Sequence, residues 1–273
     1  MISVIITTKN ESRHLPELLD SLKKQSYKNF EVIVVDNGST DDTKEIARKA
    51  GARIFDKGPE RSAQRNFGVQ KARGRYVLIL DADMRLAKDV LSDGLREFER
   101  NKCGALVIPE KSIGVGFWAK VKAYERSFYV GEDSIEAARF FRKDVFQKFG
   151  GYDTSMTGPE DYDLPYRMRQ GGIGIGRIKS FILNNEGQFS PVRSAKKKFY
   201  YAYVSGVYFE KNPLNLLELI LFIFRPAYFR NWRLILSDPI HGIGMFFLKF
   251  MELSSGVAGY LFSKLPNPLR AFL

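Results

Sequence analysis

The chain has 273 residues, 44% hydrophobic and 27% charged, with a formal net charge of +12. That length supports one well-buried core and a small appendix, and the composition excludes wholesale disorder. The single cysteine, Cys103, excludes a disulfide framework and a cysteine-based zinc site; lying beside an apolar run, it reads as a small core residue.

Met1-Ile2-Ser3-Val4-Ile5-Ile6 already reads as a strand. It lacks the basic start and long apolar stretch of a signal peptide, so a cytosolic-facing catalytic part is expected. Ser3 to Thr7 is a run suited to a strand covered on both faces. Ser12 starts a helix pattern with Leu15, Leu18, Leu19 and Leu22 on one face. Phe30 to Asp36 is a second buried strand, and Asn37-Gly38-Ser39-Thr40 a turn. Thr40 or Asp41 caps a helix beginning near Asp42. Ala52 to Phe55 is a short strand, Ser62 to Ala72 a helix ended by Gly74, and Tyr76 to Leu80 a fourth strand. Strands alternating with helices predict a mostly parallel sheet with helices on both faces, and ligands bind beyond the carboxyl ends of such strands. Asn10-Glu11, Asp36 and Asp81/Asp83 all follow strand ends, so they are expected to converge on one crevice.

Val90 to Arg100 is an amphipathic helix and Ala105 to Pro109 a strand. Ser112 to Val130 is aromatic and punctuated by glycine, expected as a helix with a mobile loop. Ala138 to Arg142 reads as a strand, Asp144 to Phe149 as a helix before the Gly150-Gly151 turn, and Asp161 to Gln170 as another helix. The chain re-enters a strand at Arg177 to Leu183. Further on, Leu214 to Phe224 is too short to span a bilayer, while Ile240 to Phe262 is long enough but contains His241, Lys249 and Glu252. From Ser190 onward eleven basic residues face Glu210, Glu218, Asp238 and Glu252, about +7. Arg225, Arg230 and Arg233 interleave with Tyr228, Phe229 and Trp232. This pattern suits helices lying in a membrane interface; a re-entrant or spanning segment and a soluble homo-oligomer interface are the alternatives. No nucleic-acid module is recognisable, so no nucleic-acid partner is expected.

Two acidic motifs carry the chemistry. Leu80-Asp81-Ala82-Asp83 closes an apolar strand, and alternation would put both carboxylates on one face. Oxygen ligands suit Mg²⁺ or Mn²⁺, and a cation there neutralises a diphosphate. Arg85, two residues on, would point the same way and contact phosphate, or is a plain surface arginine. Gly158-Pro159-Glu160-Asp161-Tyr162-Asp163 opens a helix and supplies a candidate general base, against the plainer reading of acidic helix capping. Asp163 is placed to pair with Arg167 at i,i+4. Metal, diphosphate and base suggest transfer of a group from an activated nucleotide to a hydroxyl.

Ser3 to Glu11, Val34-Val35-Asp36-Asn37-Gly38-Ser39-Thr40-Asp41, Arg65-Asn66-Phe67-Gly68, Leu80 to Asp83 and Pro159 to Leu164 resemble, in order, the motifs of the family 2 glycosyltransferases. The resemblance covers roughly residues 1 to 185. It implies an inverting enzyme with the GT-A nucleotide-sugar-binding fold over residues 1–190, a Rossmann-like, mostly parallel sheet. Residues 191–273 then form a basic, aromatic and apolar helical region. It further implies a nucleotide-diphosphate sugar donor, UDP- or GDP-linked, and a lipid-linked or membrane-proximal glycan acceptor at the cytoplasmic face of a membrane. By the same resemblance Asp161 is the base and Glu160 orients the acceptor. Asp83 meets the metal and Asp81 lies nearer the ribose. Thr8, Asn10, Glu11, Asp36, Ser39, Arg61, Arg65, Ala82 and Arg85 complete the donor site. Glu11 and Arg61 also read as ordinary helix charges. Many relatives place a histidine after the strand at Ile182; here the chain runs Asn184-Asn185-Glu186, so an oxygen ligand replaces it or the metal is held more weakly. Arg193, Lys196, Lys197 and Lys198 with Tyr200 and Tyr201 form a basic-aromatic segment for donor diphosphate, lipid phosphate or plain solvation. The rival readings are a polyprenyl-phosphate sugar synthase, whose phosphate acceptor needs no base, and a nucleotide-sugar-binding scaffold without turnover.

Overall fold

The apolar runs of the first half become strands, and the amphipathic stretches between them become helices that cover both sheet faces. The computed structural model describes residues 1–131, 136–155, 160–204 and 226–264. In chain order the elements are β1 (Ile2–Thr8), α1 (Leu15–Lys23), β2 (Phe30–Asp36), α2 (Thr43–Lys49), β3 (Arg53–Asp56), α3 (Arg61–Lys71), β4 (Tyr76–Asp81), β5 (Met84–Leu86), α4 (Val90–Asn101), β6 (Ala105–Val107) and β7 (Glu110–Ile113). Then follow α5 (Phe117–Ser127), β8 (Ala138–Arg142), α6 (Lys143–Lys148), α7 (Glu160–Gln170), β9 (Ile175–Arg177), β10 (Ile182–Asn185), α8 (Pro191–Val204), α9 (Pro226–Arg230), α10 (Trp232–Ser237) and α11 (Pro239–Ser263).

Met1–Lys111 and Gly131–Asn185 form one compact unit; Ser112–Val130 and Glu186–Leu273 form another. The first unit is built on a seven-stranded sheet ordered β3-β2-β1-β4-β8-β6-β9. Pairing is parallel from β3 through β4 and between β6 and β9, while β8 runs antiparallel to both its neighbours. Strand alternation divides the core in two. Ile2, Val4 and Ile6 of β1 pack with Leu15, Leu18 and Leu22 of α1 and with Val90 and Leu91 of α4. Ile5 turns the other way, toward Val69 of α3 and Leu164 and Met168 of α7. Gly68 lets α3 lie against the sheet, since a Cβ there would sit 2.4 Å from Ile5 Cγ2. Cys103 is buried, as expected.

Several expectations change. α1 begins at Leu15 rather than Ser12, with His14 at its N-cap and Pro16 setting the first turn. The single strand expected at Arg177 to Leu183 is two: β9 pairs with β6 of the large sheet, and β10 with β5 of a small sheet ordered β5-β10-β7. β4 ends at Asp81, so Ala82 and Asp83 form a turn and strand alternation does not relate the two aspartates. Leu214 to Phe224, with Arg225, and Gly158-Pro159 lie outside the described residues.

In the second unit, α5, α8 and α11 pack together around a buried charge network. Lys122 Nζ donates to Glu125 Oε2 at 2.7 Å, and Lys249 pairs with Glu125. Glu252 Oε1 accepts from Ser194 Oγ at 2.6 Å. Tyr129 Oη donates to Glu125 Oε1 at 2.9 Å and meets Tyr228 Oη at 2.5 Å. Lys249 and Glu252, which interrupt the apolar stretch in sequence, are thus turned inward and neutralised. Among the described residues no helix is long and apolar enough to cross a membrane.

Candidate active site

Three adjacent parallel strands end at one level. Thr8 of β1 is in register with Asp36 of β2, and Thr7 with Asp81 of β4. Thr8 Oγ1 donates to Asp36 Oδ2 at 2.7 Å, and Ser39 donates to the same carboxylate from its amide at 2.7 Å and its hydroxyl at 2.5 Å. Asp36 is fully buried, so these donors meet the strong demand of a desolvated carboxylate. Asn10, at φ +56°, donates its amide to Ser39 Oγ at 2.7 Å, and its Oδ1 accepts from the Thr40 amide at 2.8 Å. Glu11 N donates to Thr43 Oγ1 at 2.8 Å, while Asp41 Oδ1, one residue ahead of the Asp42 N-cap of α2, accepts from the Thr43 amide at 3.1 Å. Gln64 of α3 donates to the carbonyls of Thr8 and Val35 at 3.2 and 2.8 Å. The β1 and β2 loops are therefore stitched to each other, with the Asp36 carboxylate at the join.

Arg65 links the two acidic motifs. It is wholly buried on α3. Nη1 donates to Asp161 Oδ1 at 2.7 Å, and Nη2 to Asp81 Oδ1 at 3.0 Å. Glu160 Oε1, also buried, lies 3.8 Å from Arg65 Nη1 and 3.8 Å from Arg61 Nη2. Arg61 is the first residue of α3, one residue ahead of the helix start expected at Ser62. Tyr152 places its ring 5.3 Å from the Arg65 guanidinium carbon.

A second buried arginine was not singled out in the sequence. Arg139 of β8 donates from Nε to Glu110 Oε1 at 2.6 Å, and its Nη1 lies 3.7 Å from Asp81 Oδ2. Glu110 Oε2 accepts from Asn184 Nδ2 at 2.6 Å. Asn184, at the point where the resemblance expects a histidine, thus anchors Glu110. The available signal was an arginine flanked by core residues in a strand, since such a cation needs an acid beside it. Arg85 corrects an expectation. The turn at Ala82-Asp83 carries it into β5, where it pairs with Glu17 of α1, not on the face of the aspartates.

The electrostatics separate two kinds of carboxylate. Burial alone would raise the Asp81 carboxyl, but Arg65, then Arg139 and Arg61, hold it well below the usual range. Asp83 moves up, through burial and then repulsion by Asp81. Glu11 is pushed up to about 7 by burial, then by Asp83, Asp81 and Asp41. Neither Glu11 nor Asp83 has an ion-pair partner among the described residues. Asp83 and Glu11 are hard oxygen donors under mutual repulsion, a set that fits a divalent cation. Among the described residues no three acidic, His or Cys side chains close a metal cage. Mg²⁺ and Mn²⁺ do not require one, because diphosphate oxygens and water complete their coordination. Asp163, by contrast, pairs with Arg167 at 2.7 Å within α7, as its spacing predicts.

The chain is similar to known proteins in sequence and in fold. Residues 3–155 match the family model described as Glycosyl transferase family 2. The poly(ribitol-phosphate) beta-N-acetylglucosaminyltransferase TarS of Staphylococcus aureus is 34% identical over 122 residues, covering 41% of this chain and 21% of TarS. The crystal structure of TarS residues 1–349 in complex with UDP has a TM-score of 0.56 at 18% identity, covering 100% of this chain and 92% of that one. The mannosyltransferase PcManGT of Pyrobaculum calidifontis, in complex with GDP-Man and Mn²⁺, has a TM-score of 0.61 at 18% identity, covering 99% of this chain and 77% of its own. An uncharacterized glycosyltransferase of Methanocaldococcus jannaschii is 25% identical over 264 residues, 82% of this chain and 88% of that one. The chain spans 17% to 21% of the length of several curated relatives it matches. The α/β architecture, with its mostly parallel sheet, is the GT-A fold of these neighbours. By its sequence match and its fold, the chain belongs to glycosyl transferase family 2.

Proposed function

We propose that the chain transfers a sugar from a UDP- or GDP-linked donor to a hydroxyl of a lipid-linked or membrane-proximal glycan acceptor, by a single displacement that inverts the anomeric carbon. The observation that carries this reading is the Arg65 bridge, in which one buried guanidinium holds Asp161 at 2.7 Å and Asp81 at 3.0 Å. Residues remote in sequence are thereby fixed across a single side chain. A departing diphosphate beside Asp81 and an incoming hydroxyl at Asp161 would thereby be held on the two sides of one rigid fork.

Asp161 takes the acceptor proton as the oxygen attacks the anomeric carbon. Arg65 fixes its orientation, and buried Glu160 braces it through Arg61 and Arg65. The stitched β1 and β2 loops, with Thr8, Asn10, Asp36 and Ser39, form the cradle for base and ribose. The Asp36 oxygens already serve Thr8 and Ser39, so Asp36 shapes this cradle as much as it contacts a ligand. Asp83, beside Asp81 and Glu11, would hold Mn²⁺ or Mg²⁺, which when bound would offset the charge growing on the leaving nucleoside diphosphate. The UDP complex of TarS and the GDP-Man and Mn²⁺ complex of PcManGT support this choice of donors and ion.

Calorimetric titration of UDP and GDP, with and without Mn²⁺, tests the donor site on wild type and Asp83→Ala. Expected is metal-dependent binding of one nucleotide that the variant loses. Binding of neither nucleotide under either condition overturns the reading. For the base, Asp161→Asn should cut kcat by about 10²- to 10⁴-fold with donor affinity retained; unchanged turnover removes Asp161 from that role.

A further inference from the structure

We propose that the outward face of α11, continued by α9 and α10, is a docking surface for an anionic lipid bilayer. Ile240, Ile243, Phe247, Phe250, Val257 and Leu261 fall at alternating three- and four-residue steps, apart from the serine at 254, and so line one side of the helix. They are between 43% and 72% exposed. The opposite side carries Gly242, Met245, Leu248, Glu252 and Gly259, all buried. It faces α5 and α8 through the Glu125–Lys249 pair and the Ser194–Glu252 bond. Both charged residues of α11, Lys249 and Glu252, lie in that inner network, so its outer face carries no ionised side chain over a helix about 37 Å long.

What covers such a face follows from what surrounds it. A second copy or a partner helix meeting a stripe of this spacing is normally steered by charged residues flanking the apolar seam. Here the flanking positions hold Gly244, Phe246, Met251, Leu253, Ala258 and Tyr260, with no charge among them. The cations stand instead at the edges of the patch, next to aromatic rings. Arg233 lies 5.9 Å from the ring of Trp232 beside Arg230, and Lys264 lies 5.1 Å from the ring of Tyr260. Phe229, Trp232 and Leu236, on the two preceding helices beside Arg230 and Arg233 in sequence, are exposed as well. An uncharged apolar strip with aromatic and cationic edges matches acyl chains bounded by anionic headgroups. The excess of about +7 from Ser190 onward has the sign that surface attracts.

Cosedimentation of the full chain with vesicles tests this independently of sugar transfer. One set mixes phosphatidylcholine with phosphatidylglycerol, and the other is phosphatidylcholine alone. Binding to the anionic set should exceed binding to the neutral set by about tenfold or more and weaken in high salt. Phe247→Glu/Phe250→Glu should lose at least about tenfold in vesicle affinity, with the thermal melt of wild type. Ile240→Glu/Ile243→Glu should do the same, and serves if the first variant is unstable. Arg230→Gln/Arg233→Gln should lower binding to anionic vesicles only. Wild type remaining in the supernatant, or well-folded glutamate variants that bind as wild type does, overturns the proposal. So does a dimer in sedimentation velocity that the glutamate variants dissociate, without vesicle binding by wild type, because the face then belongs to a second copy.

Discussion

Arg65 does what neither acidic motif can do alone: it compensates Asp81 and Asp161 at once with the two arms of a planar fork. A lysine supplies the charge without the fork. Arg65→Lys should therefore unfold at lower urea concentration than wild type, and Arg65→Ala, which leaves both partly buried carboxylates without that partner, should cost about 3 kcal/mol or more. Both variants should lose most turnover, and urea titration beside initial rates checks them. Glu11 makes the pH dependence readable. Its folded pKa of about 7 lies above its ordinary 4.5, so the folded state binds more protons than the unfolded chain between those values. Without divalent cation, stability should then fall as pH rises through that window. Glu11→Gln should melt higher than wild type near pH 7.5 and level with it near pH 4.5, as a pH series of thermal melts would show. The positions of Glu11, Asp81 and Asp161 were legible because each follows an apolar strand or opens a helix, and that of Arg65 through the motif resemblance. Their partners were not. Nothing local in Glu110, Arg139 and Asn184 says that they meet, and the turn that swings Arg85 onto Glu17 breaks the alternation that seemed to aim it at phosphate.

At the scale of elements, close approach and buried charge hold the helices in place. A Cβ on Gly68 would lie 2.4 Å from Ile5 Cγ2, and one on Gly259 would lie 2.2 Å from the Phe199 carbonyl oxygen. Gly68→Ala and Gly259→Ala should each cost about 1–3 kcal/mol by overpacking, the second because backbone rather than a side-chain tip must yield; thermal melts check both. In the α5–α11 network, burial works to raise Glu125, but Lys249 and Lys122 hold it well below the usual carboxylate range. A depressed carboxyl contributes stability above its unfolded pKa and loses it as pH falls toward the folded one. The chain should therefore soften on acidification below about pH 4.5. Glu125→Gln should melt lower at neutral pH and show a shallower acid slope, read by circular dichroism across pH. The helical periodicity of α11 was visible in the sequence. That Lys249 and Glu252 turn inward was not, because their partners lie on α5 and α8, far away along the chain.

For the whole molecule, ligand linkage is the most direct check of the donor site. The accepted nucleotide, at about 100 times its Kd with Mn²⁺ present, should stabilise the chain by about 2.7 kcal/mol and raise its melting temperature, while the other base does so less; differential scanning calorimetry separates them. The order of strands and helices as far as Leu80, the placement of Thr8, Asp36 and Asp81 at strand ends, and the basic, apolar character of the C-terminal region were determined by the sequence by itself. Period, turn residues and charge are local quantities, and a parallel sheet brings the ends of adjacent strands to one level. Only the tertiary structure decided the antiparallel course of β8, the division of Arg177 to Asn185 between two sheets, and the inclusion of Ser112–Val130 in the second unit. It alone also joined Asp81 to Asp161 through Arg65. Each depends on pairing between distant residues, where burial makes an unpartnered charge or backbone group costly, and that cost is paid only once the chain has closed on itself.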